Sequence, residues 1–310
     1  MNPMVQAIVQ AHAPRLTGFP AQPTPSSHEA DPVFQAALAA CSALGFIATD
    51  ALCLAHAWQA QTARHGVFDA SHWPDAAEDF GLQGRAVGAS FPPCPQRLGL
   101  YAVLPDANWI RRMAQAEVPT LQLRFKSSDP AAIQREVEAA VRAVEGTSAR
   151  LFINDHWRQA MDAGAYGVHL GQDDLTALSD ASIATLRASG LRLGISTHGY
   201  AEMLLADRLA PSYVAIGAIF PTTLKAMPTA PQGMARLRDY ARLMKSSYPL
   251  VAIGGISEAQ LPEIMATGVG SAAVVRAILQ APEPEVAAAR LMRAISTQQQ
   301  GAAQAAQTRP

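Results

Sequence analysis

The sequence predicts an α/β protein, a TIM (β/α)8 barrel with an α-helical N-terminal extension. Eight short apolar runs recur within about 200 residues, and a helix-like segment follows each run. The runs are continuous rather than alternating, as expected for parallel strands buried on both faces. They span residues 98–104, 120–125, 150–155, 167–171, 192–197, 213–220, 250–256 and 271–278. The rival fold is a doubly wound open sheet, which normally has fewer strands and a Gly-rich first turn that LGLYAVLPDANW lacks.

The composition allows a large core and argues against a polymer or a membrane as partner. The chain has 310 residues, 49% of them hydrophobic, and a formal net charge of −1. Its acidic and basic residues are mixed, so we expect small-molecule ligands and no nucleic-acid or membrane surface. We see no signal segment and no uncharged apolar run near the roughly 18 residues of a membrane span. Three cysteines without metal-like or disulfide-like spacing favour a reduced, cytoplasmic setting, and a homo-oligomer stays open.

Four segments follow one another along the chain. We expect a disordered segment, a helical extension with a linker, the barrel domain and a disordered tail, at residues 1–30, 31–95, 96–297 and 298–310. The extension reads as a helical hairpin that breaks at Gly45. Thr49–Asp50 offers an N-cap for the second of its helices.

Polar residues gather where the predicted strands end. In a barrel of this type every strand points its C-terminal end at one face, and residues just past the strands form the active site there. In strand order these residues are Gln122, Arg124 and Lys126; Asn154 and Asp155; Asp173 and Asp174; Ser196; Thr222 to Lys225; Gly255; and Val275 with Arg276.

The chemistry of these residue types indicates a metal–diphosphate complex. Alternation along QLRFK puts Gln122, Arg124 and Lys126 on one strand face, where unpaired burial would be costly. Two cations suit a phosphate or diphosphate, and two nearby carboxylates suit Mg²⁺ that completes its octahedron with water and phosphate oxygens. The Gly-Gly after the seventh strand, with the end of the eighth, is typical of a second phosphate site built from backbone N–H groups. We therefore expect two phosphorylated ligands.

Each of these residues also has an ordinary structural explanation. A single acid at such a position is more often a helix N-cap than a metal ligand, and a single base is more often a surface ion-pair partner. We expect His169 and His198 to be structural, packed or hydrogen-bonded near the strand ends. The coincidence of all these residues at the strand ends of one barrel is what favours a ligand site.

The barrel region contains six stretches typical of one family: LYAVLPD, LQLRFK, FINDHWRQAMDAGAYGVHLGQDDL, LGISTH, IGAIFPTTLK and VAIGGI. Through them, residues 98 to about 280 resemble thiamine-phosphate synthase, also called thiamine-phosphate pyrophosphorylase. Members of that family are TIM barrels that join 4-amino-2-methyl-5-hydroxymethylpyrimidine diphosphate to a thiazole phosphate. The resemblance implies a Mg²⁺-dependent transferase that releases thiamine phosphate and diphosphate.

The resemblance also implies a role for each site residue. Asp155 and Asp174 hold Mg²⁺, and Asp173, where the family usually has Glu, is a neighbour. Ser196 contacts the pyrimidine, and Lys225 reaches the diphosphate. The pyrimidine diphosphate is expected to bind Gln122, Arg124, Lys126 and Asn154. The thiazole phosphate is expected to bind Thr222, Thr223, Leu224, Gly255, Val275 and Arg276.

The implied mechanism is dissociative, and two departures from the family pattern concern the second substrate. Arg124, Lys126 and Lys225 are the catalytic cations, which stabilise the leaving diphosphate. Leu224 interrupts the usual Thr-x-Thr-Lys loop, and Arg276 stands where Ser is common. These changes affect thiazole-phosphate binding and leave the reaction in place.

Two other functions are compatible with part of this pattern. A thiazole tautomerase-like isomerase shares the barrel and part of the phosphate site, but it would not need both carboxylates together with Arg124 and Lys126. A non-catalytic thiamine-phosphate-binding protein is the other alternative, which the altered Thr222–Lys225 loop and Arg276 leave open.

The N-terminal extension contains FQAALAACSALGFIATDALCLAHAWQAQTARHG, which looks like the last helices of hydroxymethylpyrimidine phosphate kinase. That kinase should have a Gly-rich anion hole and a catalytic Asp just upstream, where this chain reads PTPSSHEADPV. We expect a kinase-like remnant without kinase activity. The alternative is an Ala-rich helical extension that packs on the barrel or mediates association.

Overall fold

The predicted barrel is present in a computed structural model, which describes residues 2–85, 90–222 and 229–307 and their side chains as far as residue 298. Its eight strands pair in parallel, in sequence order, and β8 closes against β1. They are β1 Gly99–Leu104, β2 Thr120–Leu123, β3 Arg150–Asn154, β4 Gly167–Leu170, β5 Arg192–Thr197, β6 Tyr213–Ile216, β7 Leu250–Ile253 and β8 Ser271–Val274. The fold prediction is confirmed, including the helical N-terminal segment.

Several helices begin where a capping side chain accepts one of their first N–H groups. The Oδ1 atom of Asp106 accepts from the backbone N–H of Trp109 at 2.9 Å, and Asp129 accepts from that of Ala131, also at 2.9 Å. In chain order the helices are α1 Pro3–His12, α2 Pro32–Ala43, α3 Ala48–His65, α4 Ala107–Gln115, α5 Pro130–Val144, α6 Trp157–Asp162, α7 Gln172–Thr176, α8 Asp180–Ala188, α9 Tyr200–Leu209, α10 Gly233–Met244, α11 Leu261–Ala266, α12 Arg276–Leu279 and α13 Pro284–Gln307. Short 3₁₀ turns occur at Ala77–Phe80 and Glu258–Gln260.

Aromatic side chains fill the barrel below the strand ends. Tyr101, Phe152 and Tyr213 are buried together, and the two phenol oxygens share a hydrogen bond of 2.7 Å. The rings of Phe152 and Tyr213 meet edge to face at 5.1 Å. Since this part of the barrel is packed, ligands have access only from the carboxyl ends of the strands.

The N-terminal extension shares one hydrophobic core with the outside of the barrel. Phe34, Leu54 and Trp58 are fully buried in it. The indole N–H of Trp73 donates to the hydroxyl of Tyr200 at 2.9 Å, which joins the extension to α9. No helix in the described part of the chain combines the length and the apolar character that a bilayer crossing requires.

Both segments for which disorder was expected contain helical residues in the structure. Residues 3–12 form α1, which packs on α2 and buries Ile8. The last helix continues through residues 298–307 to Gln307. A prediction from composition considers a segment in isolation, whereas α1 is stabilised because its apolar residues pack against the rest of the fold.

The expectation that Thr49–Asp50 caps α3 is wrong. Helix α3 already begins at Ala48, after Ile47 in an extended conformation, and no side-chain hydrogen bond caps it. Asp50 therefore lies in the first turn of α3, 4% exposed, and its carboxylate points to another helix.

Candidate active site

A cavity of about 790 Å³ opens at the carboxyl ends of the strands, and all eight strands or the residues that follow them line it. It brings together every predicted site residue that the structure describes: Gln122, Arg124, Lys126, Asn154, Asp155, Asp173, Asp174, Ser196, Thr222, Gly255, Val275 and Arg276. Three further candidates, Thr223, Leu224 and Lys225, lie outside the described residues.

Asp155 and Asp174 form a carboxylate pair on one side of the cavity. Asp155 directly follows β3, and Asp174 lies in the first turn of α7, after β4. Burial and the Asp174 carboxylate raise the pKa of Asp155, while Lys126 and His156 act in the opposite direction. Two neighbouring carboxylates repel each other when both are ionised, so a bound cation would stabilise the ionised pair.

The backbone of Asp155 has a left-handed conformation. Its φ is 64°, one of three positive φ values at non-glycine residues in the described part of the chain. Asp and Asn tolerate this region better than most residues. The backbone N–H of Asp155 donates to the carbonyl of His169 on β4 at 3.0 Å, which continues the strand pairing and fixes where the acid stands.

Two cations stand beside the pair. The Nζ atom of Lys126 lies 4.0 Å from Oδ2 of Asp155, and its side chain is 67% exposed, so it can reorient toward a ligand. Arg124 directly follows β2, and its backbone N–H donates to the carbonyl of Leu104 at 2.8 Å. Its partly exposed side chain lines the same cavity.

An amide pair forms the floor of this charged side. The side-chain amide of Gln122 on β2 donates to Oδ1 of Asn154 on β3 at 2.7 Å. Gln122 is only 4% exposed. Because the bond holds one N–H of Gln122 and one lone-pair position of Asn154, the remaining amide positions can serve a ligand.

A buried hydrogen-bond chain positions Ser196. Its hydroxyl shares a hydrogen bond of 2.8 Å with Nε2 of His169, whose Nδ1 shares one of 2.7 Å with the hydroxyl of Tyr213. Tyr213 is bonded in turn to Tyr101. Burial raises the pKa of both phenols, so the chain ends in neutral hydroxyls. His169 is hydrogen-bonded near its strand end as expected, but its place in the cavity wall was not foreseen.

His198 is the second histidine that sequence reasoning left out of the site. It lines the cavity, and its Nδ1 lies 2.7 Å from Oε2 of Glu202, which also accepts the His198 backbone N–H at 2.8 Å. The spacing of four residues between a strand-end histidine and a glutamate is the signal that could have indicated this pairing.

The turn after β7 is packed against the turn after β6. Gly254 and Gly255 have φ values of 103° and 66°. A Cβ atom on Gly255 would lie 2.6 Å from the carbonyl oxygen of Pro221, the residue before Thr222. Only glycine therefore allows the two turns to meet here. Val275 and Arg276, at the start of α12, complete this side of the cavity.

The site therefore has two differently built sides. One side, from β2 to β4, combines carboxylates, cations and amides, which suits a metal-bound diphosphate. The other, from β6 to β8, offers Thr222, a glycine turn and Arg276, which suits a phosphate monoester. Between them Ser196 is held at the end of β5. Two ligands at these sides would meet across the cavity.

Comparison with known proteins gives a consistent result. The sequence model described as thiamine monophosphate synthase matches residues 100–278. The chain is 50% identical over 196 residues to a thiamine-phosphate synthase of Neisseria meningitidis serogroup B, which covers 63% of this chain and 94% of that one. It is also 50% identical over 207 residues to a thiamine-phosphate synthase of Yersinia pestis, covering 66% and 94% of the two chains.

A solved structure shares the fold. The thiamine phosphate pyrophosphorylase from Pyrococcus furiosus superposes with a TM-score of 0.56 at 24% identity, and the alignment covers 65% of this chain and 96% of that one. The family match begins after the N-terminal extension and includes β1 to β8 almost completely.

Proposed function

We propose the substrates of this chain and the roles of its residues from the family to which it belongs. The chain is a member of the thiamine monophosphate synthase family, whose members are transferases of thiamine biosynthesis. It condenses 4-amino-2-methyl-5-(diphosphooxymethyl)pyrimidine with a thiazole phosphate to give thiamine phosphate and diphosphate. The observation that supports this most is the meeting of Asp155, Asp174, Arg124 and Lys126 in one cavity. An isomerase acting on the thiazole alone would have no use for all four.

The carboxylate pair fits a hard divalent cation such as Mg²⁺. Asp155 and Asp174 provide oxygen donors only, and burial together with the Asp174 carboxylate raises the pKa of Asp155. In the described ranges no three His, Cys, Asp or Glu side chains gather as a metal-binding group. Water and diphosphate oxygens would therefore fill the other positions. When bound, Mg²⁺ would neutralise negative charge on the diphosphate oxygens.

The cations of the chain stabilise the leaving group. The bond that breaks joins the pyrimidine methylene carbon to a diphosphate oxygen, and its electron pair departs with the diphosphate. Arg124 and Lys126 offset the charge that develops there, and Lys225 is assigned the same task by the family resemblance. Arg124 can engage two oxygens at once, whereas Lys126 acts as a point charge.

The amides and the hydroxyl orient the pyrimidine. Gln122 and Asn154, which fix each other, bind the pyrimidine diphosphate, and Ser196 contacts the ring. The amino-pyrimidine delocalises the positive charge left on its methylene carbon. The lone pair of the thiazole nitrogen then forms the new C–N bond, so no nucleophile from the protein is required. Positioning the two substrates supplies much of the rate increase.

The β6-to-β8 side holds the thiazole phosphate. Thr222, Gly255 and the backbone at Val275–Arg276 form its cradle, with Thr223 and Leu224 contributing by resemblance. Arg276 adds a positive charge where relatives commonly have a serine, and we expect it to pair with the phosphate directly.

Release of diphosphate tests this proposal. Purified protein is mixed with both substrates, with and without Mg²⁺, and diphosphate and thiamine phosphate are quantified together. Equal amounts of the two products that require both substrates and the metal would support the synthase. Tight thiamine-phosphate binding without turnover would favour the non-catalytic alternative and direct attention to Leu224 and Arg276.

We also propose that residues 31–95 are a remnant of the kinase and have no kinase activity, while residues 96–297 form the synthase domain. The α2–α3 hairpin supports the first part, because its two helices pack closely and correspond to the resembling stretch. Incubation with ATP and hydroxymethylpyrimidine phosphate should produce no diphosphate ester; formation of that product would contradict the remnant. By its family and its free thiols we assign the protein to the cytoplasm.

A further inference from the structure

Helix α9 begins without a capping side chain of its own. It follows β5 directly, and its N-cap residue is Gly199, which offers no side-chain acceptor to the first N–H groups. The segment just before it includes Ser196 and His198, both of which line the cavity. The way α9 starts therefore affects the part of the site that receives the pyrimidine.

Asp50, on α3 of the extension, supplies the missing acceptor. Its Oδ1 atom accepts the backbone N–H of Ala201, in the first turn of α9, at 2.9 Å. A Cβ atom built on Gly199 would collide with Oδ2 of Asp50. The carboxylate thus occupies the space of an N-cap side chain. Since Gly199 is extended, with φ −174°, its backbone would accept other residues, and it is the Asp50 carboxylate that excludes them.

A second contact, made by the extension together with Phe19 of the segment before it, reaches the start of α10. The guanidinium of Arg236 lies over the rings of Phe19 and Phe46, at 3.5 and 4.0 Å from their centres, and donates to the carbonyl of Gly45 at 2.9 Å. It also donates to Oε1 of Gln232, at 3.3 Å.

Gln232 connects this contact to the barrel. It is 2% exposed, and its backbone N–H donates to the carbonyl of Ala218, a residue of the cavity wall, at 2.8 Å. Helix α10 follows the loop that begins at Thr222. The N-terminal contacts therefore reach the first turns of α9 and α10. The loops that precede these two helices are assigned to the two substrates.

We propose that Phe19, Gly45, Phe46 and Asp50 form a brace that holds the starts of α9 and α10, with Asp50 as a positioning residue for the pyrimidine site. The brace deepens the proposed synthase function and rests on it. Asp50 acts through the N-terminus of α9 on Ser196, whose carbonyl is fixed from the other side by the side-chain amide of Gln172 at 2.6 Å.

The test moves the group that caps α9 from residue 50 to residue 199. Four full-length proteins are compared: wild type, Asp50→Ala, Gly199→Ser and the double variant. Asp50→Ala should raise KM for the pyrimidine diphosphate about fivefold, within the range that loss of one helix cap can produce. KM for the thiazole phosphate should change by less than about twofold, because Phe19, Gly45 and Phe46, rather than Asp50, contact the start of α10.

The double variant distinguishes a capping role of Asp50 from a purely structural one. Gly199→Ser alone should impair the enzyme, because the added side chain collides with Asp50. Combined with Asp50→Ala, the same substitution should restore KM to within about twofold of wild type, since the serine hydroxyl can then cap α9 directly. A purely structural loss would not reverse in this way.

Asp31→Ala is the matched control. The Oδ1 atom of Asp31 caps α2 of the same extension by accepting from the backbone N–H of Phe34 at 2.8 Å. It should lower the melting temperature to a similar extent as Asp50→Ala and leave both KM values unchanged. Should Asp50→Ala fail to fold, Asp50→Asn keeps one acceptor oxygen and should give a smaller rise in the same KM.

Contradictory results separate the two proposals. An active wild type with equal KM values in Asp50→Ala and Asp31→Ala, or a double variant worse than both single ones, would overturn the brace alone. A folded wild type that neither binds nor converts the pyrimidine diphosphate would overturn the proposed function and the positioning role with it.

Discussion

Asp155 and Asp50 are both acids with a raised pKa, but their neighbours differ. Asp155 lies beside the Asp174 carboxylate on one side of the cavity, and the second acid adds to the effect of burial. Burial raises the pKa of Asp50 to about 6, while the backbone N–H of Ala201 and the charge of Arg236 oppose the shift. At Asp155 burial and the second carboxylate outweigh the opposing charges of Lys126 and His156, whereas Asp50 already accepts a hydrogen bond at a helix N-terminus. A perturbed pKa therefore indicates a ligand site only when the neighbours leave the charge uncompensated.

Trp58→Ala should produce the largest effect and tests whether the extension is part of the folded unit. Trp58 is fully buried in the shared core and meets the Trp73 ring edge-on at 5.2 Å. We expect the free energy of unfolding to fall by about 3–5 kcal/mol, as for other large-to-small core substitutions. Denaturant unfolding followed by circular dichroism should show one transition at a lower midpoint. The exposed Val67→Ala is the control; a barrel transition that stays in place would show that the extension is independent.

Asp155→Asn should lower kcat/KM by about a hundredfold or more, as expected when charge stabilisation at the leaving group is lost. Asn keeps the preference for the left-handed backbone that Ala would lose. Melting temperature should be equal to or higher than that of wild type without ligands, because the substitution relieves repulsion by Asp174. Diphosphate release measures the first effect. Full activity would contradict the metal assignment, and Asp173→Asn should cost much less.

Arg124→Met should raise KM for the pyrimidine diphosphate by about tenfold, because one charge-assisted contact to the diphosphate is removed. Arg124→Lys should recover only part of the loss, since lysine cannot engage two oxygens in the same geometry. Steady-state kinetics with each substrate varied in turn distinguish these cases. Arg135→Met, on the exposed face of α5, is the control. An unchanged KM in Arg124→Met would place the diphosphate elsewhere.

Asp50→Asn should produce the smallest effect, a change in how stability depends on pH. Because the pKa of Asp50 rises from 3.8 to about 6 on folding, the folded state binds this proton more tightly than the unfolded chain does. Wild type should therefore lose stability relative to the variant as the pH rises through that interval. The other charged or titratable groups near Asp50 are Arg236, Glu202, Cys41, Cys53 and Tyr240.

Melting temperatures of both proteins across this interval measure the effect. A difference that stays constant with pH, or that moves in favour of wild type as the pH rises, would show that Asp50 does not titrate as its surroundings indicate.

The barrel could be predicted because its signal is repeated and local. Each buried parallel strand is a short apolar run. Because the carboxyl ends of all the strands lie at one face of the barrel, residues that follow the strands in sequence lie close together in space. Gln122, Asn154 and Asp155 stand at the cavity for this reason. Assigning them to particular ligands needed the family resemblance, since spacing alone does not name a substrate.

The contacts of the extension could not be predicted from local patterns. Asp50 was taken for the cap of its own helix, because capping rules consider only neighbours in sequence, whereas its partner Ala201 lies 151 positions away. Helix α1 was missed for a related reason, since Ile8 is buried by surface that other segments supply. His169 was expected to be packed or hydrogen-bonded, but its connection to Ser196 depends on strand register across β4 and β5.

The central claim is that the β2-to-β4 side of the cavity binds a metal–diphosphate complex. Calorimetric titration of the pyrimidine diphosphate into the purified full-length protein, with Mg²⁺ and again with EDTA, tests it most directly. The account predicts tight binding with Mg²⁺, much weaker binding with EDTA, and loss of the metal effect in Asp155→Asn. Equal affinity in both buffers, or a metal effect that survives in Asp155→Asn, would contradict it.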